Sequence, residues 1–264
     1  YHFNKWQRDY LQRMIGLLNR ARRQAASGGG GAGGFAFQQS VSFDGTNDAL
    51  STGGTATSFN CFNQADYGFA CWMKSSASTF GNNDYIFGGT DAGAVTAMTF
   101  VISGTDARIT MRTRNRTLAG TYDIDAATQA AWTHYGITVE IVSSTVQRVR
   151  WYVNGALVET ADVSNNVFTR SNINLTLGSG ANTLNGFQCE SVFSNYLITD
   201  AQMTALYNGG SGADPTTTLD SVHSYYPVSE AAGQSSGTIA DTMGNQDLTM
   251  ANFVAPYGTN SDTP

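Results

Sequence analysis

Residues 148–159 read Arg-Val-Arg-Trp-Tyr-Val-Asn-Gly-Ala-Leu-Val-Glu, and they are the clearest structural signal in the chain. The segment before Asn154 is rich in β-branched and aromatic residues, which favour strands. Asn-Gly is the preferred pair for a two-residue turn in which both positions have positive φ, and a second apolar run follows at once. The stretch therefore predicts a β-hairpin closed by a tight turn at Asn154 and Gly155.

Segments of the same kind recur on both sides of this hairpin and are separated by turn residues. Strands are predicted at residues 41–43, 67–74, 82–89, 98–103, 107–113, 132–141, 146–154, 156–163, 172–177 and 186–193. A helix is predicted at residues 199–207, because Thr199 is a capping residue and Asn208-Gly209-Gly210 ends the pattern. From residue 35 on, the chain is expected to be all-β and antiparallel, with this short helix added.

The first 27 residues differ from this body in charge. Residues 1–26 carry six basic side chains against one acidic side chain, a net charge of +5, whereas the remainder has eight basic against 19 acidic residues, a net charge of −11. Residues 28–34, Gly-Gly-Gly-Gly-Ala-Gly-Gly, have the composition of a flexible linker. The sequence thus divides into an arm at 1–27, a linker at 28–34 and a body that begins at residue 35.

The arm is predicted to be an amphipathic helix, because its apolar residues fall on one half of a helical wheel. The residues expected to mediate docking or oligomerisation are Phe3, Trp6, Tyr10, Met14, Leu17 and Leu18. An isolated helix of this length is marginal in water, so its apolar half should pack on a partner. We expect that partner to be another protein or copies of the arm. The alternatives are the body of the same chain, a membrane surface, and nucleic acid bound at Arg20, Arg22 and Arg23.

Several phrases of the body, taken in order, resemble the laminin-G-like, concanavalin A-like jelly-roll family. They are Val41-Ser-Phe-Asp-Gly-Thr-Asn-Asp, Phe69-Ala-Cys-Trp-Met-Lys, Trp132-Thr-His-Tyr-Gly-Ile-Thr, Arg150-Trp-Tyr-Val-Asn-Gly and Leu177-Gly-Ser-Gly. The strand and helix at 186–210 match the same family, as does the late stretch with Tyr225-Tyr-Pro-Val-Ser-Glu and Gly237-Thr-Ile-Ala-Asp. The resemblance covers roughly residues 36–254.

This resemblance implies an antiparallel two-sheet jelly-roll sandwich at residues 35–255, with the late strands pairing back near the first and a C-terminal tail at 256–264. Members of the family are mostly non-catalytic and bind glycans or proteins, sometimes with calcium. Many belong to bacteriophage virion proteins, in which the domain is joined to an unrelated attachment segment. The arm of this chain fits that arrangement.

The sequence lacks the motifs that announce catalysis. It has no Gly-x-Ser-x-Gly elbow, and its glycine run lacks the Lys-Ser/Thr of a phosphate loop. The glutamates that could form a glycosidase pair are isolated from one another, namely Glu140, Glu159, Glu190 and Glu230. We therefore expect a protein that is not an enzyme and needs no cofactor, with calcium as the one ion to consider.

Cysteine and tryptophan are expected to serve the core. The cysteines Cys61, Cys71 and Cys189 have no metal-ligand spacing. They are either buried thiols, or Cys61 and Cys71 form a disulfide if their strands meet. Trp72, Trp132 and Trp151 are expected inside the protein rather than as platforms for sugars.

Two groups of residues are candidates for ligand binding. Arg108, Arg112, Arg114 and Arg116 alternate along one predicted strand, so they would share a sheet face and could bind sulfated or acidic sugars. The alternative is a solvated face that nearby acidic residues neutralise. Asp44, Asn47 and Asp48 offer oxygen ligands for calcium, unless their side chains bond the backbone of their own turn.

These features predict a non-catalytic bacteriophage virion protein: a fibre, spike or decoration subunit at the virion surface. Its helix would dock it, and its sandwich would face outward and recognise host-surface glycans. Other virion proteins and its own copies, most simply as a trimer, are the expected partners. Neither a membrane span nor nucleic acid is expected. A secreted or surface carbohydrate-binding module is the first alternative, and a glycan hydrolase on the same fold is the second.

Overall fold

The protein folds as two antiparallel β-sheets packed face to face, which confirms the predicted all-β sandwich. The computed structural model describes residues 35–53, 59–61, 66–77, 80, 84–90, 96–103, 108–113, 116–164, 173–178 and 183–264. The predicted helical arm and linker lie outside these ranges. Large apolar side chains fill the space between the sheets, with Trp151, Phe69 and Phe87 fully buried among them.

The strands and helices are short, as is usual for a sandwich. The strands are β1 (Ser40–Asp44), β2 (Ala49–Ser51), β3 (Tyr67–Ser75), β4 (Asp84–Thr90), β5 (Thr96–Ser103), β6 (Arg108–Thr113), β7 (Arg116–Asp123), β8 (Thr133–Ser143), β9 (Val146–Val153), β10 (Ala156–Ser164), β11 (Asn174–Leu177), β12 (Asn185–Ser194), β13 (Ser224–Tyr226), β14 (Gly237–Ile239), β15 (Leu248–Ala251) and β16 (Gly258–Asn260). The helices are α1 (Ala126–Ala130), α2 (Asp200–Tyr207) and α3 (Pro215–Thr218), with a 3₁₀ turn at Asn208–Gly210.

Each sheet combines strands from distant parts of the chain. Sheet 1 has the order β10-β9-β8-β3-β12-β1-β16, with β13 also paired to β12. Sheet 2 has the order β14-β15-β2-β11-β4-β5-β6-β7. The first strand therefore pairs with β12 and with the last strand, β16, as the family resemblance implied.

Sheet 2 shows how strand alternation separates core from surface. One register row, meaning the residues paired side by side across the strands, consists of Gly237, Met250, Leu50, Leu177, Phe87, Phe100, Met111 and Leu118. The next row consists of Thr238, Thr249, Ser51, Thr176, Gly88, Thr99, Arg112 and Thr117. Successive residues of a strand point to opposite faces, so the two rows belong to opposite faces. Leu50, Leu177 and Phe87 of the apolar row are buried, so these three side chains face the core.

The predicted hairpin and helix are both confirmed. Asn154 and Gly155 have φ values of 49° and 73°, as a type I′ turn requires, and β9 pairs with β10 on either side of them. Thr199 caps α2 through a capping box with Gln202, and Asn208 ends the helix in the left-handed conformation.

Helix α2 and the loop before it lie on the outer face of sheet 1, close to the backbone. They can approach closely because glycines on the strands beneath present no side chain there. A Cβ atom added at Gly136 would lie 2.6 Å from the Met203 sulfur, and one added at Gly68 would lie 2.7 Å from Ile198. Met203 and Ile198 are buried as a result and hold the helix against the sheet.

Two segments differ from the sequence-based expectation. The arginine-rich segment is not one strand, because the chain reverses and Thr113 of β6 pairs with Arg116 of β7. Residues 256–264 are not simply a tail, because Gly258–Asn260 forms the edge strand β16 against β1. Strand β16 has only three residues and is polar, so its local sequence carries little signal of alternation.

The cysteines are unbonded and buried, which favours the thiol alternative over a disulfide. Burial raises the pKa of each thiol well above its ordinary value. Trp72 and Trp151 are buried as predicted. Trp132 differs from the prediction, because it is only partly buried.

Candidate functional site

The described residues form a cleft of about 380 Å³ on the outer face of sheet 1, beside the N-terminus of α2. Its walls come from strands β8 and β9 and from the loop that leads into the helix. The lining residues are Glu140, Arg150, Leu197, Ile198, Thr199, Asp200 and Ala201. The cleft thus combines charged groups from the sheet with a polar and apolar rim from the loop.

The sheet side of the cleft carries an ion pair. The Arg150 guanidinium donates to the Glu140 carboxylate, with Nη2 and Oε2 2.9 Å apart. The two side chains are 21% and 31% exposed, so they can be reached from solvent. Val139, Val149 and Trp151 alternate with them and are buried, which turns the charged residues outward.

The helix side of the cleft is held by local hydrogen bonds. The Tyr152 hydroxyl donates to Oδ1 of Asp200 over 2.7 Å, which ties the first turn of α2 to β9. The Thr199 hydroxyl accepts from the Gln202 amide over 3.3 Å. Ile198 is buried beneath the loop. A carboxylate at the N-terminus of a helix is stabilised by the helix dipole, so Asp200 is suited to its position.

This arrangement can bind a polyhydroxylated ligand. The Glu140 and Asp200 carboxylates accept hydrogen bonds from hydroxyl groups, and the Arg150 guanidinium donates them. Leu197 and Ala201 offer apolar surface at the rim. Tyr196, which precedes the lining loop, is 43% exposed and presents a ring close by in the chain.

The structure describes the backbone of three of the four arginines in the predicted binding face. Arg112 lies in the polar register row of sheet 2, between Thr99 and Thr117. Arg108 pairs with Ser103 on one side and Asp123 on the other. Arg116 lies one position out of step with Arg112, since it pairs with Thr113. Arg114 lies outside the described residues. The four arginines therefore do not share one strand, and binding by them stays a prediction.

The predicted calcium turn uses its side chains to bond its own backbone. Asp44 Oδ1 accepts from the amides of Thr46, at 2.7 Å, and Asn47, at 3.3 Å. Asp48 Oδ2 accepts from the Asp44 amide at 2.8 Å. Burial raises the pKa of Asp48 to about 6. Within the described ranges no group of three or more His, Cys, Asp or Glu residues is placed to hold a metal ion. Calcium at this turn stays a prediction.

The docking residues of the arm, Phe3, Trp6, Tyr10, Met14, Leu17 and Leu18, lie outside the described residues. The described chain begins on the outer face of sheet 1. Phe35 and Phe37 pack edge to face 5.2 Å apart, and Phe37 packs on Trp72 at 5.3 Å. Gly212, just beyond α2, leaves room for both rings, since a Cβ atom there would lie 2.6 Å from Phe37. The linker is therefore attached near the C-terminal end of α2, whereas the cleft lies at its N-terminal end.

Sequence reasoning did not find the cleft. In the sequence, Glu140 is an isolated glutamate and Asp200 belongs to a predicted helix. About 60 residues of chain separate them, and the strand register and the docking of α2 bring them together. A signal did exist in the alternation of Arg148, Arg150 and Tyr152, which marks the outward face of β9.

None of the helices within the described ranges has the length and hydropathy that a bilayer span requires.

A family model for the concanavalin A-like lectin/glucanases superfamily matches residues 44–203, more than half of the chain. No curated protein sequence matches this chain. Among solved structures, a candidate carbohydrate-binding protein from Bacteroides ovatus is 15% identical, with a TM-score of 0.56 over 83% of this chain and 60% of that protein. The full extracellular region of zebrafish Gpr126/Adgrg6 is 12% identical, with a TM-score of 0.56 over 86% of this chain and 26% of that region.

At these identities the likeness to the solved structures concerns the fold alone. The family match rests on the sequence itself, and the residues it spans run from the turn at Asp44 through β12 into α2. The two-sheet architecture agrees with it. The chain therefore belongs to the concanavalin A-like lectin/glucanases superfamily.

Proposed function

We propose that this chain is a non-catalytic bacteriophage virion protein, a fibre, spike or decoration subunit, whose sandwich recognises glycans on the host surface. The cleft is the observation that supports glycan recognition. Two carboxylates and a guanidinium line it, and it lies on a lectin-type fold. The description of the Bacteroides protein as a candidate for carbohydrate binding also supports glycan recognition.

The chemistry of the cleft suits a sugar better than a phosphate. A monosaccharide offers hydroxyl groups on its edges and C–H groups on its faces, and the cleft presents acceptors, a donor and apolar atoms to match. Two carboxylates against one guanidinium disfavour a phosphate. The proposal involves binding without a cofactor, and calcium at Asp44, Asn47 and Asp48 is a separate expectation.

The arm is the feature that supports a role in the virion. Its basic charge opposes the acidic charge of the body, and its apolar half needs a partner. Residues 28–34 have the composition of a linker, and a glycine-rich segment of seven residues reaches on the order of 15 Å, enough to separate a docked arm from the body. Particle proteins and copies of the arm, most simply three, are the proposed partners, and the virion surface is the proposed location.

Substitution of Glu140 by Gln is expected to weaken glycan binding about tenfold, because the neutral amide is a poorer acceptor and no longer orients Arg150. The measurement is a glycan array probed with the full chain, followed by titration of the selected glycan. Asp162→Asn is the matched control, since Asp162 pairs with Arg148 in the same sheet and does not line the cleft.

Equal affinities of the Glu140→Gln variant and the unaltered chain for the selected glycan would show that the cleft is not its binding site. Incubation of the selected glycan with the protein should release no reducing sugar; release would favour a hydrolase.

Deletion of residues 1–27 is expected to abolish incorporation into particles and to leave glycan binding unchanged, because the arm and the cleft are separate. Particle proteomics and the array measure the two effects, and light scattering of both chains measures the oligomeric state. Incorporation of the shortened chain would contradict docking by the arm and leave a carbohydrate-binding module as the better description.

A further inference from the structure

A second group of polar and aromatic side chains lies on the outer face of sheet 1, away from the cleft. It consists of Lys74 on β3, Phe187 on β12 and Trp132 just before β8, and we call it the lysine–aromatic site. Lys74 and Phe187 are paired across the strands. The Lys74 ammonium lies 4.9 Å from the centre of the Phe187 ring and 5.4 Å from that of Trp132. Both distances suit a cation–π contact, so the two rings hold the ammonium in place.

The lysine–aromatic site binds a carboxylate from its own chain. Asp262 accepts from the Trp132 indole N–H through Oδ1, with 2.9 Å between the heavy atoms, and forms an ion pair with Lys74 through Oδ2. Each carboxylate oxygen therefore has its own donor, one charged and one neutral. Partial burial opposes ionisation of Asp262, but the hydrogen bonds from Lys74 and Trp132 outweigh it and lower its pKa.

We propose that Lys74, Trp132 and Phe187 form a binding site for the carboxylate of an acidic sugar, and that Asp262 occupies this site as an internal ligand. The ion pair between Lys74 and Asp262 would be enough to hold the C-terminal segment in place. The site adds an oriented indole N–H and the partly buried rings of Trp132 and Phe187, which offer the flat apolar surface that the C–H face of a pyranose requires. A uronic acid carries its carboxylate next to such a face.

Asp262 is placed where it can leave without opening a sheet. The last paired residue of β16 is Asn260, opposite Ser40, so Asp262 lies beyond the ladder. Besides its contacts in the site, it is held by the Ser40 hydroxyl, which donates to its carbonyl over 2.6 Å, and by Asn260, whose side chain accepts from its amide over 2.8 Å. Its side chain is 39% exposed and that of Lys74 is 21% exposed, and exposed ion pairs contribute little to stability.

An internal ligand lowers the apparent affinity for an external one. A group tethered by a few residues has an effective concentration in the millimolar range, and the apparent dissociation constant rises in inverse proportion to the open fraction. Removal of the Asp262 charge should therefore reveal binding that the unaltered chain shows only weakly. The lysine–aromatic site is separate from the cleft, and Lys74 is the single lysine of residues 35–264.

The test uses the full chain and one probe, methyl β-D-glucuronide, with the uncharged methyl β-D-glucoside for comparison. Asp262→Asn is expected to bind the glucuronide at least tenfold more tightly than the unaltered chain, and to show no such gain for the glucoside. Addition of Lys74→Ala to this variant should abolish the gain. Asp220→Asn is the control for charge, since Asp220 is exposed near α2 and its carboxylate accepts from the Gln202 side-chain amide over 3.2 Å.

Equal glucuronide affinity of Asp262→Asn and the unaltered chain would overturn the inference, and so would equal gains for both sugars. A second measurement avoids dependence on the folding of this variant. The Trp132 indole N–H resonance of the unaltered chain should shift when the glucuronide displaces Asp262, and an unmoved resonance at saturating probe would overturn the inference. These outcomes are read from Asp262, Lys74 and Trp132, so they are independent of the Glu140 result that tests the proposed function.

Discussion

Substitution of Asp241 by Ala is expected to lower the free energy of unfolding by on the order of 4 kcal/mol. Asp241 is buried, with 5% of its surface exposed, and its carboxylate accepts four backbone hydrogen bonds. Oδ1 accepts from the amides of Tyr225 and Met243, both at 2.9 Å, and Oδ2 accepts from those of Asn245, at 3.2 Å, and Gln246, at 3.1 Å. Alanine would leave these amides without their acceptor, and some would regain water as the loop relaxes.

Urea denaturation of the full chain measures this loss. Asp247→Ala is the control, because the exposed Asp247 accepts a hydrogen bond from the Asp241 amide, at 2.9 Å, and should cost about 1 kcal/mol. Asp241→Asn should fall between the two, since it keeps one acceptor oxygen. Similar losses for Asp241→Ala and Asp247→Ala would show that the loop does not depend on this carboxylate.

Substitution of Glu190 by Gln is expected to stabilise the protein, and to do so more strongly as the pH rises. Glu190 is buried on β12, where the Tyr225 hydroxyl donates to its Oε2. Within the described residues its Oε1 has no hydrogen-bond partner. Burial, with a smaller contribution from the charge of Asp214, raises the pKa of Glu190 from 4.5 to about 8, although the hydrogen bond from Tyr225 opposes the shift.

The sign follows from proton binding in the two states. Between pH 4.5 and 8 the unfolded chain has lost this proton, whereas the folded chain keeps it, so the contribution of Glu190 to stability falls as the pH rises. Above pH 8 both states are ionised, and the loss is complete. The full difference between a pKa of 4.5 and one of about 8 amounts to about 5 kcal/mol, at roughly 1.4 kcal/mol for each unit of pKa.

Denaturation of the unaltered chain and the Glu190→Gln variant at pH 5, 7 and 9 tests this. The stability difference should be small at pH 5, large at pH 7 and nearly constant from pH 8 upward. The positive φ of residue 190, 52°, is common to both proteins and does not affect the comparison. Glu159→Gln, at a partly exposed position of β10, controls for the loss of one carboxyl group. A gain that is equal at all three pH values would contradict the raised pKa.

Local interactions explain the elements that could be predicted correctly. The Asn154-Gly155 turn and the capping box of Thr199 and Gln202 depend on residues within four positions of one another, so their sequences are sufficient to specify them. Alternation in the first part of β9 likewise reports one buried face of that strand. The family resemblance implies two antiparallel sheets with the late strands near the first, and the sheet pairing confirms both.

Long-range pairing explains what could not be predicted. Glu140 meets Arg150 across a strand pair, but it meets the loop before Asp200 only because glycines at 68 and 136 let that segment lie against sheet 1. Asp262 reaches Lys74 across 188 positions of sequence because β16 pairs with β1. The free energy that selects these neighbours comes from apolar burial and strand pairing between distant segments, to which no short stretch of sequence is sensitive. The chain thus encodes its tight turn and helix cap locally, whereas the cleft and the lysine–aromatic site exist only once distant strands have paired in sheet 1 and α2 has docked on it.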